Sequence, residues 1–225
     1  MKKLAISIVI PALNEAKYLP ACLEKLLPQL QTGDEIIVVD NGSTDETADI
    51  AASFGVRVVE ESIRGNSHAR NRGVKVAINN YIARTDADTV VAKEWLESIR
   101  QHYDVTNPTP VITGPVYLRE PRPLRLGVHS GVTKRSLGYQ NALGGNMAFT
   151  RQAWEKVLPY LRNDDQKFSE DTELSIEWHR QGIVIEMIPQ MVVYTSWRWM
   201  IRHPRRSWQE WQRKSRQTYA LDKEK

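Results

Sequence analysis

The chain has 225 residues, 41% of them apolar, which is enough for one substantial hydrophobic core, so we expect one globular unit. Its formal net charge of +4 indicates acidic partners without separating phosphates, lipids and nucleic acids. No uninterrupted apolar stretch reaches the roughly 18 residues that a membrane-spanning helix needs, and a single cysteine, Cys22, excludes an internal disulfide. We therefore expect a soluble, cytoplasmic protein.

The first half of the chain alternates between short β-branched runs and segments whose apolar residues have helical spacing. This order predicts a mostly parallel central sheet flanked by helices, so the predicted fold class is α/β. The predicted elements are, in chain order, strand 5–11, helix 15–30, strand 35–40, helix 45–54, strand 56–61, helix 68–78 and a strand that begins at Tyr81.

The second half of the chain is less regular until about residue 143. Many prolines between residues 107 and 127 indicate strand pieces and exposed loop rather than another regular repeat. Beyond them, the pattern predicts a strand or turn that enters a helix at 144–154, a loop followed by a helix at 169–182, and two short strands around Pro189.

Polar residues and turn formers follow three of the predicted strands. In an open parallel sheet, ligands bind at the carboxyl ends of the strands, so we expect these residues to converge on one site. A structural alternative stays open for each of them, since such residues also cap helices and form tight turns. The residues are Pro11, Asn14 and Glu15 after the first strand, 40–45 after the second, and Asp86 and Asp88 after the strand at Tyr81.

The pair Asp86 and Asp88 has the most specific chemistry of this set. Two carboxylates on one short loop repel each other unless a cation or basic group lies between them. Hard cations such as Mg²⁺ take oxygen ligands and are commonly held by one or two carboxylates together with substrate phosphates. The sequence has no zinc spacing such as HExxH, no GxxxxGKS/T phosphate loop and no GxGxxG after the first strand. The pair therefore predicts a divalent metal, Mg²⁺ or Mn²⁺, that carries a phosphate.

Six motifs follow one another along the chain: PALNE, VVDNGSTDET, RGNSHARNRG, RTDADT, GGNMAF and SEDTELSIEWHRQG. In this order and at these intervals, they resemble the motif series of the family 2 glycosyltransferases with the GT-A fold. The resemblance implies a single GT-A (Rossmann-like) domain at 1–195, with a nucleotide-sugar half at about 1–90 and an acceptor half at about 91–195. Residues 196–225 would then form a basic, Trp-rich helical segment.

By this resemblance, the first half of the chain binds a nucleoside-diphosphate sugar. Asp88 would hold the metal that bridges the diphosphate, and Asp86 would face the ribose or the metal. The metal would neutralise the charge that grows on the departing diphosphate. The residues implied in nucleotide-sugar binding are Pro11, Asn14, Glu15, Asp40, Asn41, Gly42, Arg70 and Asp86.

The same resemblance makes Asp171 the catalytic base of an inverting, single-displacement reaction, in which it takes the proton of the acceptor hydroxyl. Glu170 would position Asp171 or the acceptor, and Gly144, Gly145 and Asn146 would approach the donor sugar and the acceptor. In the alternative, both acids only interact favourably with the dipole at the start of a helix, and the glycines form a tight turn. The QxxRW motif that is usual in processive members is absent, which implies transfer of one sugar at a time.

The C-terminal segment combines arginine with tryptophan. Seven Lys or Arg residues lie between Arg198 and Arg216, and four of the seven tryptophans lie between Trp197 and Trp211. This mixture suits an anionic membrane surface, so Trp197–Arg216 is a candidate for peripheral contact with the cytoplasmic face of a membrane. The acceptor would then be a sugar or lipid-linked molecule in glycan or cell-envelope synthesis. In the alternative, the tryptophans pack on the catalytic domain or in a dimer interface.

Two other functions fit parts of the sequence. A nucleotidyltransferase of similar fold usually has a glycine-rich loop with a basic residue right after the first strand, and PALNEAKYL lacks one. A nucleic-acid-binding module would use the basic, Trp-rich tail for phosphate contact and base stacking, but acids crowd the strand ends. We therefore expect a sugar-nucleotide enzyme with no nucleic-acid partner.

Overall fold

The computed structural model describes residues 4–119, 138–196, 198 and 204–222. The first half of the chain contains β1 (Ile6–Ala12), α1 (Leu19–Leu26), β2 (Glu35–Asp40), α2 (Thr47–Ser53), β3 (Arg57–Glu60), α3 (Asn66–Val76), β4 (Tyr81–Thr85), β5 (Thr89–Val91) and α4 (Trp95–Tyr103). The second half contains β6 (Val111–Thr113), β7 (Val116–Leu118), β8 (Asn146–Thr150), α5 (Arg151–Val157), α6 (Glu170–Arg180), β9 (Ile185–Met187), β10 (Val193–Thr195) and α7 (Pro204–Leu221).

The strands form two sheets. The larger sheet has seven strands in the order β3-β2-β1-β4-β8-β6-β9, and the smaller sheet has the order β5-β10-β7. Strand β1 pairs in parallel with β2 and β4, whereas β8 is antiparallel to both of its neighbours, β4 and β6. The predicted α/β class with a mostly parallel central sheet is therefore confirmed.

Strand β1 lies inside the larger sheet and is buried along nearly its whole length. Ile6, Ile8 and Ile10 pack with residues of α1 and α4, whereas Val9 packs with residues of α3. Because helices cover both faces of the sheet, a strand in this position needs apolar side chains at successive positions. This explains the uninterrupted apolar run, and replacing Ile8 by Ala would cost about 2–5 kcal/mol.

The chain between β1 and α1 turns sharply, so the first helix is shorter than the predicted 15–30. Asn14 has a φ of 57°, and α1 begins at Leu19 with Pro20 in its first turn. Proline is favoured there because the missing N–H has no helical partner to lose. Glu15 therefore lies in the turn at the carboxyl end of β1 rather than in a helix.

The two strands predicted around Pro189 are present as β9 and β10, but they join different sheets. Strand β9 pairs with β6 in the larger sheet, and β10 lies between β5 and β7 in the smaller one. The loop with Asp86 and Asp88 connects β4 to β5, and Ser196, directly after β10, donates to Asp88. The predicted metal loop therefore lies where the two sheets meet.

The C-terminal helix α7 packs against α6. Thr218 Oγ1 accepts from the backbone N–H of Ser169 at 2.9 Å, and Arg180 donates to the Leu221 carbonyl. The last turns of α7 thus pack on the domain, while Trp197 and residues 199–203 of the predicted membrane segment lie outside the described residues. Within the described part of the chain, no helix combines the length and apolar character needed to cross a bilayer.

Candidate active site

Two adjoining cavities open at the carboxyl ends of β1 and β4. Their volumes are about 280 Å³ and 170 Å³, and we call them the first and second cavity. Asp86 lines both, so a ligand in one cavity would lie beside a ligand in the other. The first cavity is also lined by Pro11, Glu15, Asn41, Asp88 and Arg198, and the second by Thr89, Leu143, Gly144, Gly145, Asp171 and Thr195.

Asp86 is held in place by an arginine of the neighbouring helix. Arg70 of α3 is buried, and its Nη2 donates to Asp86 Oδ1 at 2.7 Å. Its Nη1 donates to Glu170 Oε2, also at 2.7 Å. The planar fork of one guanidinium therefore joins two carboxylates and fixes the orientation of Asp86 between the cavities. The motif resemblance assigned Arg70 to nucleotide binding, whereas in the structure the Arg70 guanidinium contacts Asp86 and Glu170.

Glu170 is enclosed by two arginines. Arg84 of β4 donates through Nη1 to Glu170 Oε1 at 2.8 Å and through Nη2 to Oε2 at 2.9 Å, in addition to the bond from Arg70. Burial raises the pKa of Glu170, but the two guanidinium groups outweigh burial and lower this pKa to about 2. Glu170 therefore stays ionised and positions its neighbours. Arg84 was not expected from the sequence, because its partner lies 86 residues away.

Asp171 lies in the first turn of α6 and lines the second cavity. Its Oδ1 accepts from Ser169 Oγ at 2.7 Å and from the Thr172 N–H at 2.8 Å. Its Oδ2 accepts from the Gly144 N–H at 3.1 Å. These bonds hold the carboxylate in one orientation at the wall of the cavity that Asp86 also lines.

Gly144 and Gly145 allow the backbone to approach two charged side chains closely. A Cβ added at Gly144 would lie 2.6 Å from Arg70 Nη1, and one at Gly145 would lie 2.5 Å from Asp86 Oδ2. Both distances are shorter than van der Waals contact, so a side chain at either position would displace the Arg70–Asp86 pair.

The side chains of Asn146 and Asn14, which the motifs assign to the site, make their contacts outside both cavities. Asn146 is fully buried at the start of β8, where its Oδ1 accepts from Trp95 Nε1 at 2.8 Å and its Nδ2 donates to the Met191 carbonyl at 2.7 Å. Asn14 is exposed, and its Oδ1 accepts from the Thr44 N–H at 2.8 Å. Neither side chain lines either cavity; Asn146 connects elements of the core, and Asn14 supports the loop after β2.

The loop after β2 shapes one wall of the first cavity. Asn41 lines this cavity, and its Oδ1 accepts from the Gly65 N–H at 2.8 Å. Asp40 is buried and accepts from the Ser43 N–H at 3.2 Å, which closes the turn. Gly42 has a φ of 80°, a conformation that favours glycine. In this arrangement, Asp40 and Gly42 set the shape of the loop, and Asn41 reaches the cavity.

A second group of charges lines the first cavity. Arg198 Nη2 donates to Glu15 Oε1, and Arg198 Nε lies 3.4 Å from Asp88 Oδ2. Ser196 Oγ donates to the same Asp88 oxygen at 2.5 Å. Burial raises the pKa of Glu15 and of Asp88, and the negative charge of Asp86 adds to this rise. The contacts of Ser196 and Arg198 with cavity carboxylates were not expected from the sequence, which left open whether the segment contacts a membrane or packs on the domain.

The acids of the first cavity fit a hard divalent cation. Glu15 Oε2 is buried and has no hydrogen-bond partner among the described residues, and Asp86 and Asp88 add two carboxylates to the same cavity. The described residues contain no group of three or more His, Cys, Asp or Glu side chains that could hold a metal by themselves. A cation at Asp86 and Asp88 would therefore complete its coordination with water or with oxygen atoms of a bound ligand, as Mg²⁺ commonly does in phosphate sites.

Known sequences resemble this chain over most of the region that builds the cavities. The sequence profile described as Glycosyl transferase family 2 matches residues 7–158, more than half of the chain. Glycosyltransferase GlyG of Streptococcus pneumoniae is 38% identical over 102 residues, which cover 43% of this chain and 34% of that protein. The uncharacterized glycosyltransferase EpsJ of Bacillus subtilis is 24% identical over 202 residues, which cover 82% of this chain and 59% of that protein. The chain thus spans less than two thirds of the length of these relatives.

Solved structures share the fold. Glucosyl-3-phosphoglycerate synthase from Mycobacterium tuberculosis, in complex with Mn²⁺, UDP and phosphoglyceric acid, has a TM-score of 0.66 at 20% identity, over 85% of this chain and 70% of that one. S. aureus TarS 1–349 in complex with UDP-GlcNAc has a TM-score of 0.69 at 19% identity, over 86% of this chain and 58% of that one. The GT-A fold expected from the motif series is therefore confirmed.

Proposed function

Because this chain belongs to glycosyl transferase family 2, we propose that it moves one sugar from a nucleoside-diphosphate sugar to an acceptor hydroxyl, with inversion at the anomeric carbon. One observation carries the proposal: Asp86 of the candidate metal pair and Asp171, the candidate base, line the same cavity. A single displacement needs a stabilised leaving group and a base that serves the attacking hydroxyl within one site.

The first cavity is the proposed donor site. Solved relatives that share the fold were bound to UDP with Mn²⁺ or to UDP-GlcNAc, which supports a nucleoside diphosphate here. Asp86 and Asp88 are the residues that would hold Mg²⁺ or Mn²⁺, and the cation would offset the charge of the departing diphosphate. Arg70 supports this role because its 2.7 Å bond keeps the Asp86 carboxylate between the two cavities.

Asp171 is the proposed general base. Hydrogen bonds to both of its oxygens hold the carboxylate still, and a carboxylate has further lone pairs with which to accept the proton of an acceptor hydroxyl. Attack by that hydroxyl as the diphosphate leaves inverts the configuration of the sugar. Glu170 does not compete for the proton, since Arg70 and Arg84 enclose it and keep its pKa low.

A lipid-linked acceptor at the cytoplasmic face of a membrane is part of the proposal, with a role in glycan or cell-envelope synthesis. Arg205, Trp208, Arg213 and Arg216 are exposed on α7, and helical spacing puts them on one side of the helix. Arginine attracts anionic headgroups, and tryptophan suits the boundary between headgroups and acyl chains.

Flotation of the purified full chain with anionic and neutral vesicles tests this location. We expect binding to anionic vesicles, and we expect its loss when Arg205, Arg213 and Arg216 are all changed to Gln. The matched control changes three exposed cations elsewhere, Lys25, Arg72 and Lys75, to Gln and has the same net charge. Equal loss in both variants, or no binding by the wild-type protein, would reject membrane contact through α7.

Thermal unfolding against a panel of nucleoside diphosphates and sugar nucleotides, each with and without Mn²⁺ or Mg²⁺, tests the donor site. A ligand that binds only the folded protein adds about 2.7 kcal/mol of stability at a hundred times its Kd. We expect one nucleotide to stabilise the protein with metal, and we expect this response to vanish in Asp88→Ala. It should persist in Asp49→Ala, which removes an exposed carboxylate of α2. No response to any nucleotide with either metal would contradict the donor assignment.

A further inference from the structure

Arg198 is a charged residue of the first cavity that the proposed chemistry does not use. Its Nη2 donates to Glu15 Oε1, and its Nε lies 3.4 Å from Asp88 Oδ2. The guanidinium carbon also lies 4.4 Å from the centre of the Tyr18 ring, a cation–π contact. Side chains from two separate parts of the chain therefore hold Arg198 against the cavity.

The contacts of Arg198 are partly shielded from water. The Arg198 side chain is 26% exposed, and those of Glu15 and Asp88 are 13% and 18% exposed. Electrostatic attraction is stronger in such surroundings than at an open surface. Asp86 has a different cation, Arg70, so Arg198 neutralises the carboxylates of this cavity that Arg70 does not reach.

We propose that Arg198 is a built-in cation that competes with the divalent metal for the carboxylates of Asp88 and Glu15. The inference rests on the metal-dependent donor site proposed above. Arg198 Nε lies 3.4 Å from the Asp88 oxygen that accepts the hydrogen bond of Ser196 Oγ. A hard cation binds through carboxylate oxygens, and a positive charge 3.4 Å from this oxygen repels a divalent cation that approaches it. Arg198 therefore opposes metal binding through this oxygen.

This competition predicts that metal and nucleotide bind cooperatively. A metal that binds alone has to approach the Arg198 cation or displace it from its carboxylate partners. A diphosphate in the same cavity would give the released guanidinium an anionic partner that matches its planar fork. Each ligand is then expected to raise the affinity for the other by the same factor.

Titration of Mn²⁺ into the nucleotide-free full chain, with free Mn²⁺ measured by electron paramagnetic resonance, tests the competition. Arg198→Met keeps an apolar stem and removes the cation. We expect it to bind Mn²⁺ at least about tenfold more tightly than the wild-type protein. Arg198→Lys keeps a charge and is expected to stay close to the wild type. With UDP present, the gain in Mn²⁺ affinity is expected to be larger in the wild type than in Arg198→Met.

The matched control is Arg64→Met. Arg64 donates to the Gly42 carbonyl at 3.0 Å, so this change removes the same charge from the loop beside the first cavity without touching a carboxylate contact. Thermal unfolding verifies that each variant is folded. Similar Mn²⁺ affinities of Arg198→Met and Arg64→Met would overturn the inference, because the effect would then reflect net charge alone. Weaker Mn²⁺ binding by Arg198→Met would also overturn it, since Arg198 would then support the metal.

The remaining outcomes separate this inference from the proposed function. If Mn²⁺ binds to none of the variants but a nucleotide alone stabilises the protein, the competition is rejected and the donor site stands. If Arg198→Met binds Mn²⁺ more tightly but no nucleotide stabilises the protein with any metal, the competition stands and the donor assignment is rejected.

Discussion

Arg84 and Glu170 form a two-point ion pair at 2.8 and 2.9 Å that is closed to solvent. Arg84 lies in β4, and Glu170 begins α6, so the pair joins the central sheet to the helix that carries Asp171. Arg70 extends the network from Glu170 to Asp86. The candidate base and the candidate metal loop are therefore connected through buried charges as well as through apolar packing.

The first prediction concerns the charge at the centre of this network. In Glu170→Gln, the amide nitrogen would face guanidinium N–H donors, and two buried arginines would lose their shared counter-charge. Removing one partner of a buried ion pair typically lowers the free energy of unfolding by about 3–5 kcal/mol, so we expect a decrease in this range for Glu170→Gln. Urea unfolding at neutral pH measures it.

The matched control for Glu170→Gln is Glu173→Gln on the same helix. Glu173 is also buried, but among the described residues it pairs with a single, exposed guanidinium, that of Arg162 at 3.4 Å, and its Oε1 accepts from the Arg162 backbone N–H at 3.0 Å, a bond that an amide oxygen can still accept. We expect a clearly smaller loss of stability than in Glu170→Gln. Equal losses would show that the arginine network contributes no special stability.

The second prediction is a pH dependence. The pKa of Glu170 lies at about 2 in the folded protein, below the ordinary value of 4.5. Its stabilising contribution is therefore complete above the ordinary pKa and decreases as the pH falls below it, because the unfolded chain takes up a proton that the folded chain does not. The contribution is lost as the pH passes through about 2. Unfolding curves of wild type and Glu170→Gln should converge as the pH falls from about 5 to about 3, and a constant difference would contradict the assignment.

The third prediction concerns the close approach at Gly145. In Gly145→Ala, the new methyl group would lie 2.5 Å from Asp86 Oδ2, so Asp86 has to move away from its position between the cavities. We expect affinity for the stabilising nucleotide and metal to fall by about tenfold or more, which is about 1.4 kcal/mol. Isothermal titration calorimetry measures this change.

The control for Gly145→Ala is Gly55→Ala, at a glycine that lines neither cavity. Gly55 has a φ of 72°, and no atom lies within 4 Å of an added Cβ. Its replacement is expected to cost about 1–2 kcal/mol of stability through backbone conformation and to leave binding unchanged. Normal binding by Gly145→Ala would show that the Asp86 position does not matter for the ligand.

The fourth prediction links the C-terminal helix to catalysis. Thr218 is fully buried and accepts from the Ser169 N–H, and Ser169 Oγ in turn donates to Asp171. Thr218→Val keeps the volume but leaves this N–H without a partner, so we expect Asp171 to be less well positioned and kcat to fall by about tenfold. Steady-state kinetics should show little change in the KM for the donor. A control, Gln217→Ala, changes an exposed residue of the same helix and should leave kcat intact.

Elements decided by a local pattern were predictable from the sequence. The apolar run of β1 and the helical spacing in 45–54 and 68–78 correspond to β1, α2 and α3 within a few residues. The assignment of β9 and β10 to different sheets was not predictable, because pairing depends on strands that are distant in sequence.

Part of the candidate site was also predictable from the sequence. Asp86, Asp88 and Asp171 stand in recognisable motifs, and all three line a cavity. Arg84 and Arg198 form ion pairs with Glu170 and Glu15 over separations of 86 and 183 residues, which leave no local signal in the sequence. The roles of buried residues such as Glu170 and Asn146 likewise depend on tertiary contacts that a motif does not encode.

Release of nucleoside diphosphate from the stabilising sugar nucleotide distinguishes a glycosyltransferase from a protein that only binds the donor. We would measure it with Mn²⁺ and a membrane lipid extract as the source of acceptor, for the wild type and for Asp171→Asn. Asparagine keeps the size and one hydrogen-bonding oxygen of Asp171 but does not take up the acceptor proton. We expect both proteins to bind the donor equally and the variant to react about 10²–10⁴-fold more slowly. Equal rates for the two proteins would contradict the assignment of Asp171 as the base and, with it, the proposed reaction.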